Sequence, residues 1–156
     1  MNNNDILRRL RYTFDLSDAQ MIEIFSLADL EVDKKTIGAW LKKDDEPDYK
    51  EIYDIQMSTF LNGFINFKRG KKEGEQPKPE KSLNNNLIFR KIKIALSLRD
   101  NDIMEAFELA KLRVSKHEIS AIFRHPSQNQ YRICKDQFLR NFMLGLQLKY
   151  KGKKQK

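Results

Sequence analysis

The feature that most constrains the fold of this chain is an internal repeat. Residues 2–72 align with residues 84–154 without a gap, at a constant offset of 82 positions that places Asn2 against Asn84. Roughly a third of the paired positions are identical and most of the others keep apolar or basic character, so chance is a poor explanation. The sequence therefore predicts one structural unit duplicated in tandem.

Each copy of the repeat is predicted to be helical. Near the start of the first copy, Ile6, Leu7, Leu10 and Phe14 recur at the spacing of one helical face. Three further segments per copy are expected to be helical, and no stretch alternates cleanly enough to demand a strand. We therefore expect an all-α protein of two tandem homologous four-helix units, related by approximate twofold symmetry and burying their apolar faces together.

Capping signals mark several helix ends. The pairs Ser17–Gln20 and Ser115–Glu118 have the spacing of a capping box, and Asp33 is a candidate N-cap. Gly70 is placed to end the last helix of the first copy.

The predicted boundaries follow the repeat and a change in composition. We assign residues 1–70 to the first helical repeat and residues 84–152 to the second. Residues 71–83 contain Gly, Pro and many charges but no apolar periodicity, which predicts an exposed linker. Residues 153–156 form a basic tail, typical of a solubilising chain end.

Four stretches carry a resemblance to a known family. They are NNNDILRRLRY and FLNGFINFKRGK in the first copy, and NNNLIFRKIKIALSL and DQFLRNFMLGL in the second. With these runs and its duplication, nearly the whole chain resembles the YehS-like family of uncharacterised bacterial proteins, a domain of unknown function. The resemblance implies a small cytoplasmic bacterial protein. It implies no activity, because the family has none assigned.

The repeated asparagines have a structural and a ligand-binding interpretation. A helix start leaves backbone N–H groups unpaired, and an Asn side chain can accept from one of them. We predict that Asn4 and Asn86 are N-caps. The other asparagines, among them Asn3 and Asn85, are expected to bond across the interface between the copies or to line a shared polar pocket for a ligand.

Two aspartates recur inside apolar helices, where an unpaired buried carboxylate is costly. We expect Asp54 and Asp136 to pair with Arg8 and Arg90, or to accept from the backbone of the asparagine run, tying the first helix of each copy to the last. An acid–base pair is the functional alternative, which no neighbouring residue supports.

Two glycines also recur, Gly63 and Gly145, each in the middle of a helix. Glycine there costs about 1 kcal/mol relative to Ala. We predict a close helix crossing at each; the alternative is a hinge or catalytic role.

Residues typical of catalysis and metal binding are few. His117 and His125 lack a partner at metal-ligand spacing and are predicted on the surface. Cys134 is the one cysteine and aligns with Ile52, which predicts a buried apolar role rather than a nucleophile. There is no Gly-rich phosphate loop or nucleophile elbow. We therefore predict no enzyme activity, no metal and no cofactor.

Charge is distributed unevenly between the copies. The chain has a net charge of +8, but residues 1–82 contain 14 Lys and Arg against 16 Asp and Glu, and residues 83–156 contain 16 against 6. Any attraction to nucleic acid or another acidic partner therefore belongs to the second copy.

A helix-turn-helix-like pattern spans residues 18–43, with Lys34 and Lys35 on the candidate recognition helix. The second copy offers Lys116, Arg124 and Arg132 and lacks the acidic run DDEPD, which would repel phosphate. The small residue usual in the turn is absent, so an ordinary helical hairpin with solvated charges is the alternative. We predict a non-enzymatic regulatory or nucleic-acid-associated binding protein that contacts DNA or RNA through the second copy.

A protein–protein interaction module, with the groove between copies or a homodimer interface as its surface, is the competing interpretation. The single cysteine, the lack of a signal-peptide pattern and the lack of a long apolar run favour a cytoplasmic protein without membrane contact.

Overall fold

The computed structural model describes residues 1–151 and contains, over that range, eight α-helices and no strand. The chain divides into two compact units, unit 1 from Met1 to Leu83 and unit 2 from Asn84 onward. Unit 1 holds α1 (Asn3–Thr13), α2 (Asp18–Ser26), α3 (Lys34–Leu41) and α4 (Asp54–Arg69); unit 2 holds α5 (Asn85–Ala95), α6 (Asp100–Leu109), α7 (Lys116–Ile122) and α8 (Asp136–Tyr150). The all-α class with two four-helix units is confirmed, and the twofold relation stays a prediction. The basic tail at residues 153–156 lies outside the described residues.

The predicted capping signals determine where helices begin and end. Ser17–Gln20 and Ser115–Glu118 each form a reciprocal capping box, at the starts of α2 and α7. The Asp33 carboxylate accepts from the Thr36 amide at 2.8 Å, and this hydrogen bond lowers the pKa of Asp33. Helix α4 ends at Gly70, whose φ of 89° lies in the left-handed region. All four signals are confirmed.

The two repeated glycines lie where helices cross in contact, as predicted. A Cβ on Gly63 of α4 would lie 1.8 Å from the carbonyl oxygen of Ile24 on α2. A Cβ on Gly145 of α8 would lie 1.9 Å from the carbonyl oxygen of Ala106 on α6. Only glycine permits this approach, so each unit is built around the same backbone-to-backbone crossing.

The cores of the units are filled by different aromatic residues on the same skeleton. In unit 1, the Phe25 ring lies 5.4 Å from Trp40 and 5.3 Å from Phe60. In unit 2, Ile122 takes the position of Trp40, and the larger Phe89 takes that of Leu7. The Phe89 ring stacks on Phe142 at 4.2 Å. The largest side chains therefore occupy different positions in the two cores. Protein cores tolerate such exchanges when the total apolar volume and the pattern of buried positions are kept.

The segment 71–83 is held against α4 within unit 1. Its first residues, 71–75, are exposed, as predicted for a linker. Further along, Gln76 accepts from the Asn66 side chain at 2.9 Å, and the Leu83 amide donates to Asp54 at 2.9 Å. The second half of the segment is therefore anchored by hydrogen bonds.

Candidate functional site

The asparagine run gives each of its members a different structural role. The helix caps are Asn2 and Asn84, whose side chains accept from the amides of Asp5 and Leu87. The prediction that Asn4 and Asn86 are the caps is therefore wrong by two residues, because α1 and α5 begin earlier than the apolar pattern indicates.

Asn4 and Asn86 are buried and bind the backbone of their own unit. The Asn4 amide donates to the carbonyls of Trp40 at 2.8 Å and Lys50 at 2.9 Å, and its oxygen accepts from Ile52 N and the Tyr49 hydroxyl, both at 3.2 Å. The Asn86 amide makes the equivalent bonds to Ile122, Arg132 and Cys134. These bonds hold the first helix of each unit against the segment between its third and fourth helices.

Asn3 and Asn85 tie the first helix of each unit to its last helix. Asn3 donates to the Asp54 carboxylate at 2.8 Å and to the Ile52 carbonyl at 3.2 Å. Asn85 donates to the Asp136 carboxylate at 2.7 Å, and this bond lowers the pKa of Asp136. The tie between helices exists as predicted, but the donor is an asparagine side chain. These bonds of Asn3 and Asn85 lie within one unit, so they are not the inter-copy bonds that the sequence predicted. Asp54 is half-buried and Asp136 is exposed, and each is the first residue of its helix rather than a residue of the helix interior.

Arg8 and Arg90 do not pair with these aspartates. Arg8 donates to the Lys42 carbonyl at 2.8 Å and pairs with Asp5, and Arg90 donates to the Phe123 carbonyl. Each arginine thus satisfies a carbonyl at the C-terminal end of α3 or α7, a usual role for a basic side chain. The predicted aspartate–arginine pair is therefore wrong, since each arginine binds a carbonyl at a helix end instead.

The residues typical of metal binding and nucleophilic catalysis are scattered or buried in the described part of the chain. Within residues 1–151, no three His, Cys, Asp or Glu side chains group to hold a metal. His117 and His125 are exposed, as predicted. Cys134 is buried, and burial raises the pKa of its thiol to about 12, which keeps it protonated and unreactive.

The strongest candidate for a binding surface is a basic segment of unit 2. Residues 111–135 contain six basic residues and one acid, Glu118. Over residues 1–151, none of these six side chains lies within ion-pairing distance of a carboxylate. Five of the six are exposed, and Arg124 is half-buried. We call the six residues the basic surface: Lys111, Arg113, Lys116, Arg124, Arg132 and Lys135. Three of the six, Lys116, Arg124 and Arg132, were predicted from the sequence.

The equivalent segment of unit 1 has the opposite charge. Residues 29–53 contain five lysines and eight Asp or Glu residues. Lys34 lies 3.8 Å from Asp18, and Lys42 lies 3.8 Å from Asp48 and donates to the Pro47 carbonyl at 3.0 Å. Lys35 is exposed, and its charge helps to lower the pKa of Asp33. Lys34 is therefore offset by a carboxylate, whereas its counterpart Lys116 has no carboxylate within ion-pairing distance over residues 1–151.

The helix pairs of the helix-turn-helix-like pattern are present, but their connectors are long. Residues 27–33 join α2 to α3, and residues 110–115 join α6 to α7. Both exceed the roughly 3–4 residue turn typical of a DNA-binding helix-turn-helix. Ile37 and Trp40 are buried as predicted for the inner face of α3. Recognition by either pair stays a prediction.

A cleft of about 540 Å³ opens beside the basic surface, entirely within unit 2. Its apolar lining includes Ile122 and Phe138, with Tyr131 beside them. Arg132 and Lys135, two members of the basic surface, also line it. We call this site the unit 2 cleft.

Sequence reasoning missed part of this site because it followed the residues that the copies share. Lys111, Arg113 and Lys135 replace Asp29, Glu31 and Tyr53 of unit 1. Ile133, which also lines the unit 2 cleft and is 73% exposed, replaces Glu51. The sequence signal that could have identified these residues is the set of positions where the two aligned copies differ in charge.

Within residues 1–151, no helix combines the length and apolar character required to cross a membrane.

Comparison with known proteins places the chain in a family. A family model described as "Protein of unknown function (DUF1456)" matches twice, over residues 3–70 and 85–152. The chain is also 40% identical over 155 residues to "Uncharacterized protein YehS" of Escherichia coli (strain K12), a match that covers 99% of each chain. No solved structure matches. The predicted resemblance is thus confirmed, and the chain belongs to the DUF1456 family, with one copy of the family's domain in each unit.

Proposed function

We propose that this protein is a non-enzymatic nucleic-acid-binding protein of the cytoplasm that contacts DNA or RNA phosphates through the basic surface of unit 2. The observation that carries the proposal is the reversal of charge between equivalent segments. Residues 29–53 have eight acids against five lysines, and residues 111–135 have one acid against six basic residues. Since the two units have the same four-helix framework, folding does not require this difference in charge.

Phosphate is the anion that such a surface suits. Exposed cations without intramolecular carboxylate partners attract the nucleic-acid backbone and release its counterions on contact. Arg132 and Lys135 both line the unit 2 cleft. Lys116 is the first residue of α7, the helix that contributes Glu118 and Ile122 to the same cleft. The role of unit 1 in this proposal is to serve as scaffold or partner surface.

The test is binding of labelled DNA and RNA by fluorescence anisotropy at several salt concentrations. The variant Lys116→Gln/Arg124→Gln/Arg132→Gln is expected to bind at least about tenfold more weakly, and its dependence on salt should fall by roughly one unit of slope per lost phosphate contact. Unchanged affinity in this variant would overturn the site.

The chain supplies its own matched control. Lys34, Lys42 and Lys50 occupy the equivalent positions of unit 1. The variant Lys34→Gln/Lys42→Gln/Lys50→Gln removes the same number of charges and is expected to leave binding nearly unchanged. An equal loss in both variants would mean that net charge alone, rather than a surface of unit 2, governs binding.

A protein-interaction module is the second candidate, favoured by the exposure of Ile133. Affinity capture from lysate with and without nuclease separates the two functions. Partners that remain after nuclease treatment and at high salt support the interaction module, and loss of all partners after nuclease supports nucleic-acid binding.

A further inference from the structure

The unit 2 cleft combines features that a phosphate-binding surface does not need. Its lining brings the side chains of Ile122, Ile133, Tyr131 and Phe138 to one opening. A large apolar side chain that is 73% exposed, as Ile133 is, gains by being covered. The volume, about 540 Å³, falls within the range of roughly 300–1,000 Å³ typical of small-ligand sites.

We propose that this cleft accepts an unpaired base of a single-stranded nucleic acid, while Arg132 and Lys135 contact the phosphates on either side of that base. The inference rests on the proposed function and narrows it from nucleic acid in general to single strands. Aromatic and apolar side chains beside a positively charged track are the usual means of holding unpaired bases. A base inside a duplex is not free to enter such a cleft.

The polar groups of the cleft favour a base over an acidic peptide. One oxygen of Glu118 accepts from the Ser115 amide at 3.2 Å, and no hydrogen bond to the other oxygen occurs within residues 1–151. A carboxylate accepts from the exocyclic amine of cytosine but repels the side chains of an acidic peptide. An amine-bearing base therefore suits this cleft better than thymine or uracil.

The Tyr131 hydroxyl offers a second polar contact. In unit 1 the equivalent Tyr49 hydroxyl donates to Asn4, whereas over residues 1–151 Tyr131 makes no such side-chain bond. The Tyr131 hydroxyl is therefore available to a ligand.

Unit 1 lacks this arrangement at the same positions. Glu51 and Gln56 stand where unit 2 has Ile133 and Phe138, and Thr36 stands where it has Glu118. The cleft chemistry of unit 2 is thus absent from the equivalent positions of unit 1.

The experiment compares binding of the full-length protein to short labelled oligo(dC), oligo(dT) and a duplex of the same length. We expect oligo(dC) to bind more tightly than either of the others. The variant Ile133→Gln leaves the net charge unchanged and alters an exposed side chain, so folding should be retained, as circular dichroism checks. It should weaken oligo(dC) binding roughly tenfold and duplex binding little. The variant Glu118→Gln should reduce the preference for oligo(dC) over oligo(dT).

The outcomes separate this inference from the proposed function. No binding to any nucleic acid overturns both. Equal binding of duplex and single strands, unaffected by Ile133→Gln, overturns the inference and leaves the proposed function in place. If polyglutamate displaces oligo(dC) and its own binding is lost in Ile133→Gln, the cleft is a peptide site and the inference is wrong.

Discussion

Units 1 and 2 share their backbone framework and differ in their exterior. The glycine crossings at Gly63 and Gly145 are the same, and so are the hydrogen bonds of Asn3 and Asn85. Even the left-handed connector residues correspond: Asp29 and Lys111 each have a φ of 64°. Over residues 29–53 and 111–135, however, the charge reverses.

This contrast separates structural from functional information. A residue that both copies need for the same hydrogen bond or the same close approach is explained by folding. The positions that changed are free of that constraint, because the skeleton persists without them. The positions where the two copies differ are therefore the better candidates for functional residues. Examples are Ile133, which replaces Glu51, and Lys135, which replaces Tyr53.

The largest expected loss of stability comes from substituting the two helix-crossing glycines, which tests whether both units depend on the same crossing. Gly63→Ala and Gly145→Ala each place a Cβ within 1.9 Å of a backbone carbonyl oxygen. Because a backbone atom cannot rotate away, we expect each to lower the free energy of unfolding by about 3 kcal/mol. Urea denaturation followed by circular dichroism measures the loss.

The matched control for these variants is Gly38→Ala in α3. Apart from the adjacent residues and the backbone of α3 itself, no atom lies within 4 Å of a Cβ at that position. Because Ala is favoured over Gly inside a helix, this variant should be more stable by up to about 1 kcal/mol. A tolerated alanine at Gly145 but not at Gly63 would break the equivalence of the two frameworks.

A smaller loss of stability is expected when the buried asparagines of the two units are replaced. Asn4→Ala and Asn86→Ala each leave buried backbone groups without partners, and we expect a loss of about 2 kcal/mol from each. Asn4 should be the more costly, since it also accepts from the Tyr49 hydroxyl. Urea midpoints compare the pair, with the exposed caps Asn2→Ala and Asn84→Ala as milder controls. A larger loss at the caps than at the buried pair would contradict the assignment of roles.

The smallest effect concerns Cys134, which aligns with Ile52. Cys134→Ile should change stability by less than about 1.5 kcal/mol near neutral pH, because the exchange keeps an apolar core residue. Burial raises the pKa of the native thiol to about 12 from an ordinary value of 9.0. Above pH 9 the unfolded chain therefore releases a proton that the native protein keeps, which favours unfolding as pH rises.

The Cys134→Ile variant isolates this pH effect. Relative to the variant, the wild-type protein should lose stability between about pH 9 and pH 12, by up to about 1.4 kcal/mol per pH unit. Thiol labelling at pH 8 should be slow in the native protein and fast in urea. Rapid labelling without denaturant would show that Cys134 is not the buried counterpart of Ile52.

Several parts of the fold were predictable because their signals are local. A capping box such as Ser17–Gln20 depends on residues within one turn, and a mid-helix glycine indicates a close contact whatever the partner. The partner itself was not predictable: nothing in the sequence assigns Gly63 to the carbonyl of Ile24. Lys116, Arg124 and Arg132 of the basic surface follow a pattern of basic residues that both copies share, whereas Lys111, Arg113 and Lys135 replace Asp29, Glu31 and Tyr53 and so lie outside any shared pattern.

The sequence by itself determined the duplication, the helical class, the helix count and the charge difference, since all four depend on composition and periodicity along the chain. Only the tertiary structure decided which atoms each asparagine binds, why Arg8 prefers the Lys42 carbonyl to Asp54, and which cations flank the unit 2 cleft. Hydrogen bonds between residues far apart in the sequence, such as Asn3 and Asp54, which are 51 positions apart, are selected by the packing of helices. That packing is a collective result of burial and excluded volume, which no single stretch of sequence records.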